Sequence, residues 1–161
     1  MRIVPEERWI TQPWSNRRGV TREIVRWPTG SDAYDLRVSL ADVTEPGSFS
    51  TFPGYRRWTF LVGPAPITLV EPGRSIRLVA PGDHIEVPGE LPLVAELPAG
   101  PTQLLNILAR PDTCVAGIGP IAHAIRFRFR FSLATREAAV LEPPASADTH
   151  DAIWLSDARA G

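Results

Sequence analysis

The sequence predicts an all-β fold, and three observations support this prediction. Seventeen prolines and twelve glycines are spread along the 161 residues, which leaves little room for long helices and favours short strands joined by turns. Apolar and polar residues alternate in many short segments, with the period of a strand that buries one face. Together these segments indicate about a dozen strands, as in a sandwich or barrel.

The predicted strands follow one another along the whole chain. They cover residues 21–27, 35–43, 58–62, 67–70, 75–79, 84–87, 93–97, 104–109, 124–133, 138–141 and 152–155. Residues 39–43 and 135–141 compete as short helices, and residues 143–151 are polar and proline-containing, which predicts a loop.

The first strands are recognised by composition and by period. Residues 21–27 are rich in β-branched and aromatic types, which favour strands. Residues 35–43 alternate between apolar and polar types, and residues 58–62 form a short apolar run that ends at Gly63.

Turn residues connect the middle strands. Pro72 and Gly73 suit the two central positions of a type II turn, so residues 67–70 and 75–79 are predicted to form a hairpin. The next three strands are separated by proline and glycine in the same way.

Residues 124–133 form the clearest strand. Three phenylalanines alternate with three arginines, which predicts a core face and a solvated face, with an anion-binding wall as the alternative for the arginines. The arginines are Arg126, Arg128 and Arg130, and the phenylalanines are Phe127, Phe129 and Phe131. Residues 138–141 are the predicted hairpin partner, and residues 152–155 are a last strand.

Charge and cysteine content exclude several classes of protein. The net charge of −1 gives no general attraction to nucleic acid. The single cysteine, Cys114, cannot form an intramolecular disulfide or a cysteine-rich zinc site, and its predicted role is that of a small buried hydrophobe. The N-terminus lacks the apolar region of a signal peptide, and no run of about 18 apolar residues could span a membrane. We therefore expect a cytoplasmic protein without membrane contact.

Three segments resemble the motifs of one bacterial family. Residues 14–24 are similar to W-x-N-G-x-G-x-T-x-E-I. Residues 36–41 and 49–57 are similar to W-R-x-S-x-A followed by F-S-x-F-P-G-x-D-R, and residues 100–110 to G-P-T-x-D-L-N-x-M-x-R. A weaker similarity lies at residues 150–155. On these motifs the chain resembles the HutD/Ves family.

The resemblance implies a cupin-like double β-sandwich, or bicupin, in a single chain. Residues 1–100 would be the N-terminal cupin-like half and residues 101–161 the C-terminal half of one shared compact domain. It also implies a bacterial, cytoplasmic protein that binds a small catabolic intermediate, linked in HutD to histidine utilisation and in Ves to cold or stress response. Among the departures from the family motifs, Arg17 replaces a glycine, and Arg56 and Leu104 each replace an aspartate.

Polar residues of the motif segments are the candidate ligand-binding residues. Arg37 and Ser39 share one strand face, and so do Thr21 and Glu23. Arg37 paired with Glu23 would be a structural ion pair, whereas Arg37 beside Arg57 without an acid would be an anion site. The predicted ligand is a small anionic metabolite, held by Asn16, Thr21, Glu23, Arg37, Ser39, Ser50, Arg57 and Asn106.

Other functions remain as alternatives. Catalytic cupins bind metal through an H-x-H pair that this sequence lacks, so no metal and no cofactor are predicted, and the weaker alternative is a site of His84, Glu86 and His123. A metal-independent isomerase or lyase would use Glu23 as general base. An interaction module or homodimer would use the tryptophan-rich N-terminus as its interface. The sequence favours the non-enzymatic binder.

Overall fold

The computed structural model describes residues 2–111, 113–118, 127–140 and 152–157. Fifteen β-strands occur in these residues, with one 3-10 turn at Glu6–Arg8 and no α-helix among them. The strands are β1 Arg2–Ile3, β2 Ile10–Pro13, β3 Gly19–Trp27, β4 Leu36–Val43, β5 Gly47–Ser48, β6 Arg56–Leu61, β7 Ile67–Glu71, β8 Arg74–Leu78, β9 His84–Pro88, β10 Val94–Glu96, β11 Thr102–Ala109, β12 Cys114–Ile118, β13 Phe127–Ser132, β14 Ala138–Val140 and β15 Ala152–Asp157.

The strands form three antiparallel sheets. The largest has six strands in the order β2-β3-β4-β11-β6-β9. A four-stranded sheet has the order β5-β10-β7-β8, and a five-stranded sheet the order β1-β14-β13-β15-β12. The all-β prediction is confirmed.

The six-stranded sheet contributes its two faces to two different cores, because successive side chains of a strand point to opposite faces. Leu105 and Ile107 of β11 pack in a core with Phe129 and Phe131 of the five-stranded sheet. Leu104 of β11 packs in a second core with strands of the four-stranded sheet. The ligand-site candidates of the central strands lie on this second face.

Most predicted strands are confirmed. Glu71 pairs with Arg74 across a two-residue turn in which Gly73 has a φ of 88°, so the hairpin of β7 and β8 is as predicted. Residues 39–43 and 138–140, which competed as helices, belong to β4 and β14. The alternation did not predict β1, β2, β5 or β12.

The arginine and phenylalanine strand is described from residue 127 onward. Phe129 and Phe131 are fully buried, as expected for its core face, and β13 pairs with β14 as predicted. Arg130 is half-buried, and its Nε is buried without a hydrogen-bond partner among the described residues. Arg126 and the predicted loop 143–151 lie outside the described residues.

The predicted boundary near residue 100 falls between β10 and β11. Strand β11 lies between β4 and β6 in the six-stranded sheet, and β1 pairs with β14 in the five-stranded sheet. The division into halves 1–100 and 101–161 stays a prediction. No helix within the described ranges has both the length and the apolarity needed to cross a membrane.

Arg17 lies in the turn between β2 and β3 in a left-handed conformation, with a φ of 58°. This conformation is unfavourable for residues with a Cβ and easily adopted by glycine, which gives a physical reason for the glycine of the family motif at this position. We expect Arg17→Gly to raise the free energy of unfolding by roughly 0.5–1 kcal/mol, the relief of left-handed strain less the extra chain entropy of glycine. Urea unfolding would measure the change.

Arg136 supplies a matched comparison, since its φ is 63°. Its guanidinium, unlike the exposed side chain of Arg17, donates to the Val62 carbonyl and to Gln103 Oε1. Arg136→Gly should therefore lower stability although it relieves the same strain. Destabilisation by Arg17→Gly would contradict the strain argument.

Candidate functional site

A cavity of about 330 Å³ lies over the second face of the six-stranded sheet. Strands β4, β6 and β11 form its floor, and the β2–β3 turn and the segment after β5 form its walls. Its lining residues are Gln12, Pro13, Trp14, Ser15, Asn16, Thr21, Arg37, Ser39, Ala41, Ser48, Phe49, Ser50, Phe52, Arg57, Asn106 and Leu108. Seven of the eight predicted ligand-binding residues are among them; Glu23 is the exception.

Strand register aligns the floor residues in two rows. Arg37, Leu108 and Arg57 are paired across β4, β11 and β6, and Ser39 and Asn106 are paired in the adjacent row. Since neighbouring strands are about 4.8 Å apart, the backbones of Arg37 and Arg57 are separated by about 10 Å. Arg37 and Arg57 thus lie on either side of Leu108 in the floor.

Arg57 is a buried cation without an acidic partner. It is 6% exposed, and its Nη1 donates to the Ser50 carbonyl at 3.1 Å. Its Nε is buried, and among the described residues this atom has no hydrogen-bond partner and no acidic side chain forms an ion pair with the guanidinium. Burial, with a smaller contribution from the nearby Arg37, lowers the pKa of Arg57 to about 10.

Aromatic side chains and a tight turn hold Arg57 in place. The guanidinium carbon lies 5.3 Å from the ring centre of Phe49 and 5.5 Å from that of Phe52, within the range of a cation–π contact. The Tyr55 amide donates to the Phe52 carbonyl, and Gly54 between them has a φ of 83°, as a type II turn requires. The Pro53-Gly54 turn therefore sets where the chain enters β6 and carries Arg57 to the cavity.

Hydrogen bonds orient two further lining residues. The Thr59 hydroxyl donates to Asn106 Oδ1 at 2.8 Å, which leaves the amide nitrogen of Asn106 to donate elsewhere. Trp14 Nε1 donates to Thr21 Oγ1 at 2.8 Å, so the Thr21 hydroxyl hydrogen is also available. Asn16 has a turn role as well, because its Oδ1 accepts from the Arg18 amide.

Glu23 does not line this cavity, and two arginines, Arg26 and Arg37, hold its carboxylate. Arg26 donates from Nε to Oε1 at 3.0 Å and from Nη2 to Oε2 at 2.7 Å, and Arg37 donates from Nε to Oε2 at 2.9 Å. Glu23 is 6% exposed and lines a second cleft of about 540 Å³ with Arg2, Arg8 and Arg26; Gln12 lines both this cleft and the cavity. The structural ion pair of Arg37 and Glu23 is therefore present, and the arrangement gives no support to Glu23 as a general base on a ligand of the 330 Å³ cavity.

The weaker metal alternative is not assembled in the described residues. Glu86 forms an ion pair with Arg56 at 2.5 Å, and the His84 ring stacks on Phe60 at 4.6 Å. His123 lies outside the described residues, and the part of the chain that the structure describes contains no group of three or more metal-ligating side chains.

Several lining residues were not among the predicted ones. Trp14, Phe49 and Phe52 occur in the same motif segments as the predicted polar residues, so their place in the sequence was the available signal. Two further residues act on the cavity indirectly: Thr59 contacts Asn106, and Arg26 contacts Glu23. No pattern in the sequence pointed to either of them.

Comparisons with known proteins identify the family. The HutD family model matches residues 6–140. An uncharacterized 21.2 kDa protein in the hutC 3′ region of Pseudomonas putida is 30% identical over 113 residues, which are 70% of this chain. The chain spans only 60% of the length of that relative.

Two solved structures share the fold. HutD from Pseudomonas fluorescens SBW25 is 22% identical, with a TM-score of 0.80 over 96% of each chain. A conserved protein of unknown function from Pseudomonas aeruginosa PAO1 is 21% identical, with a TM-score of 0.73 over 97% of this chain and 91% of the other. From the extent of the family match, this chain belongs to the HutD family.

Proposed function

We propose that this chain binds a small carboxylate in the 330 Å³ cavity and acts as an auxiliary or regulatory protein of histidine utilisation. The observation that carries the proposal is the buried Arg57 guanidinium, which has an unpartnered Nε and no acidic neighbour among the described residues. A buried charge without a counter-charge is costly. A bound anion would remove that cost.

The donors at the cavity favour an anion over a neutral ligand. Arg57 and Asn106 offer N–H groups, while the amide oxygen of Asn106 already accepts a hydrogen bond from the Thr59 hydroxyl. A guanidinium matches the geometry of a carboxylate, and charge-assisted hydrogen bonds of this type are stronger than neutral ones. Ser39, Ser50 and Thr21 line the same cavity and would complete the hydrogen bonds of the ligand.

The size and walls of the cavity favour a ligand with an apolar or planar body. A volume of about 330 Å³ lies near the lower limit for small-molecule sites. Trp14 and Phe49 meet edge to face at 5.8 Å, and both line the cavity. The carboxylate would lie at the arginine end, with the remainder of the ligand against these rings.

The pathway is proposed from family membership and from the hutC-region relative. The proposal also retains the bicupin interpretation. We place the six- and four-stranded sheets in one cupin-like barrel around the cavity and the five-stranded sheet in a second, which differs from the predicted halves 1–100 and 101–161 because β11 then belongs to the first barrel and β1 to the second. The cavity would then be the ligand site of the first barrel.

Thermal-shift titration tests the proposal. Urocanate, formylglutamate, histidine and related acids should raise the melting temperature, since a ligand that binds only the folded state stabilises it by about 2.7 kcal/mol at a hundredfold excess over Kd. The amides of the same acids, which lack the carboxylate charge, are the matched control and should give smaller shifts. The absence of any shift with millimolar acids would contradict the proposal.

A further inference from the structure

The two arginines of the cavity floor differ in their counter-charges. Arg37 donates its Nε to Glu23 at 2.9 Å, so a carboxylate already neutralises this side of the floor. Within the part of the chain that the structure describes, Arg57 forms no ion pair with an acidic side chain and its Nε has no hydrogen-bond partner. The cavity therefore offers a ligand one uncompensated positive charge, at Arg57.

Arg26 holds Glu23 from the other side without adding its own charge to the cavity. Its Nε and Nη2 donate to the two carboxylate oxygens of Glu23, while its Nη1 donates to the Ser31 carbonyl and lies 3.8 Å from Asp32. Arg26 and Asp32 line the 540 Å³ cleft and are absent from the lining of the 330 Å³ cavity. Arg26 is thus a clamp that keeps the Glu23 carboxylate against Arg37.

We propose that Glu23 determines which ligand charge the cavity prefers, so that a monocarboxylate binds more tightly than a dicarboxylate of the same size. This inference rests on the proposed function. Glu23 is a positioning residue that acts through Arg37: it shares the Arg37 guanidinium and places a negative charge beside it. A second carboxylate of a ligand near Arg37 would meet this charge and find a cation that is already paired.

Removal of the Glu23 charge should therefore change the ligand preference. In Glu23→Gln the amide oxygen can still accept from Arg26 Nη2 and Arg37 Nε, as Oε2 does now, while the bond from Arg26 Nε is lost. Arg37 becomes an uncompensated cation. The cavity then presents two positive charges whose backbones are about 10 Å apart, which suits a short dicarboxylate. Removal of one unit charge at a distance of about 10 Å, at the effective dielectric constant of a protein, changes the affinity for a dianion relative to that for a monoanion by about tenfold or more.

Matched pairs of probes test the inference by isothermal titration calorimetry at neutral pH. Succinamate and succinate form one pair, and glutaramate and glutarate the other; in each pair the shapes are similar and the charges are −1 and −2. The wild-type protein should bind the monoanion more tightly. In Glu23→Gln the ratio of dianion to monoanion affinity should rise by about tenfold or more, and Glu23→Asp, which keeps the charge, should restore the wild-type preference.

Arg37→Gln and Arg57→Gln provide a second measurement that does not require Glu23→Gln to fold. Since Arg57 is the uncompensated cation, Arg57→Gln should weaken monoanion binding much more than Arg37→Gln. Equal losses in these two variants, an unchanged ratio in a folded Glu23→Gln, or tighter binding of the dianion by the wild type would overturn the inference. If the wild type binds no member of either pair, or if Arg57→Gln binds as the wild type does, the proposed function fails as well.

Discussion

Arg57→Met is expected to raise the free energy of unfolding of the ligand-free protein by about 1–3 kcal/mol and to abolish carboxylate binding. The guanidinium is buried without an acidic neighbour in the described residues and has an unpartnered Nε. Methionine has a similar length, is adaptable in shape, and would lie between Phe49 and Phe52, where the cation lies now. Urea unfolding and calorimetric titration with the carboxylates would measure the two effects.

The combined result distinguishes a binding residue from a structural one. Removal of a structural arginine would lower the stability of the protein. A buried cation that serves to bind a ligand destabilises the ligand-free protein, so its removal should raise the stability of that protein. Arg57→Lys is the matched control: it keeps the charge without the planar fork, so it should retain weak binding and gain no stability. Loss of stability in Arg57→Met together with retained binding would contradict the role of Arg57 as the anchor.

The pH dependence of this stability gain has a definite sign. Burial lowers the pKa of Arg57 to about 10, so above this pH the folded state releases a proton that the unfolded state retains. The cost of the buried charge is present in full below pH 10 and is relieved as the pH rises towards the ordinary pKa of arginine. The difference in unfolding free energy between Arg57→Met and the wild type should therefore be constant at neutral pH and shrink above pH 10.

Alternation predicted the faces of single strands but could not predict which strands are neighbours. The period of residues 35–43 places Arg37 and Ser39 on one face, and both line the cavity. The position of Asn106 beside Ser39 and Thr59 depends on the insertion of β11 between β4 and β6. This pairing joins segments far apart in the sequence, and a pattern of local period contains no information about it.

A bulge in β3 explains why the surroundings of Glu23 differ from the expected ones. A regular strand places Glu23 and Arg26 on opposite faces, because they are three residues apart. The register of β3 against β4 shifts between Glu23 and Val25, so one extra residue is accommodated there. After the shift Arg26 lies on the same face of the strand as Glu23 and can donate hydrogen bonds to its carboxylate. A β-bulge has no sequence signature in this strand, and so neither the clamp nor the separate cleft could be predicted.

Leu104→Asp is expected to lower the free energy of unfolding by more than about 3 kcal/mol, although aspartate is the residue of the family motif at this position. Leu104 is fully buried, and its neighbours across the sheet are Ala41 and Leu61, both of the second core. An aspartate there would lack a cation and lose the apolar contacts of leucine. Because the total stability of a domain is about 5–15 kcal/mol, such a loss removes a large part of it, and urea unfolding would measure it.

Two variants at the same position separate charge from shape. Leu104→Met keeps the apolar volume and should cost less than about 1.5 kcal/mol, whereas Leu104→Asn has nearly the shape of aspartate without its charge and should fall between the two. Burial without a cation raises the pKa of a carboxyl group. The extra loss in Leu104→Asp over Leu104→Asn is therefore present in full above that raised pKa, shrinks as the pH falls below it, and disappears at the ordinary pKa of aspartate in the unfolded chain. A loss below about 1 kcal/mol in Leu104→Asp would mean that a donor or cation reaches position 104, and that the chain has kept the surroundings of the family aspartate while replacing the residue itself.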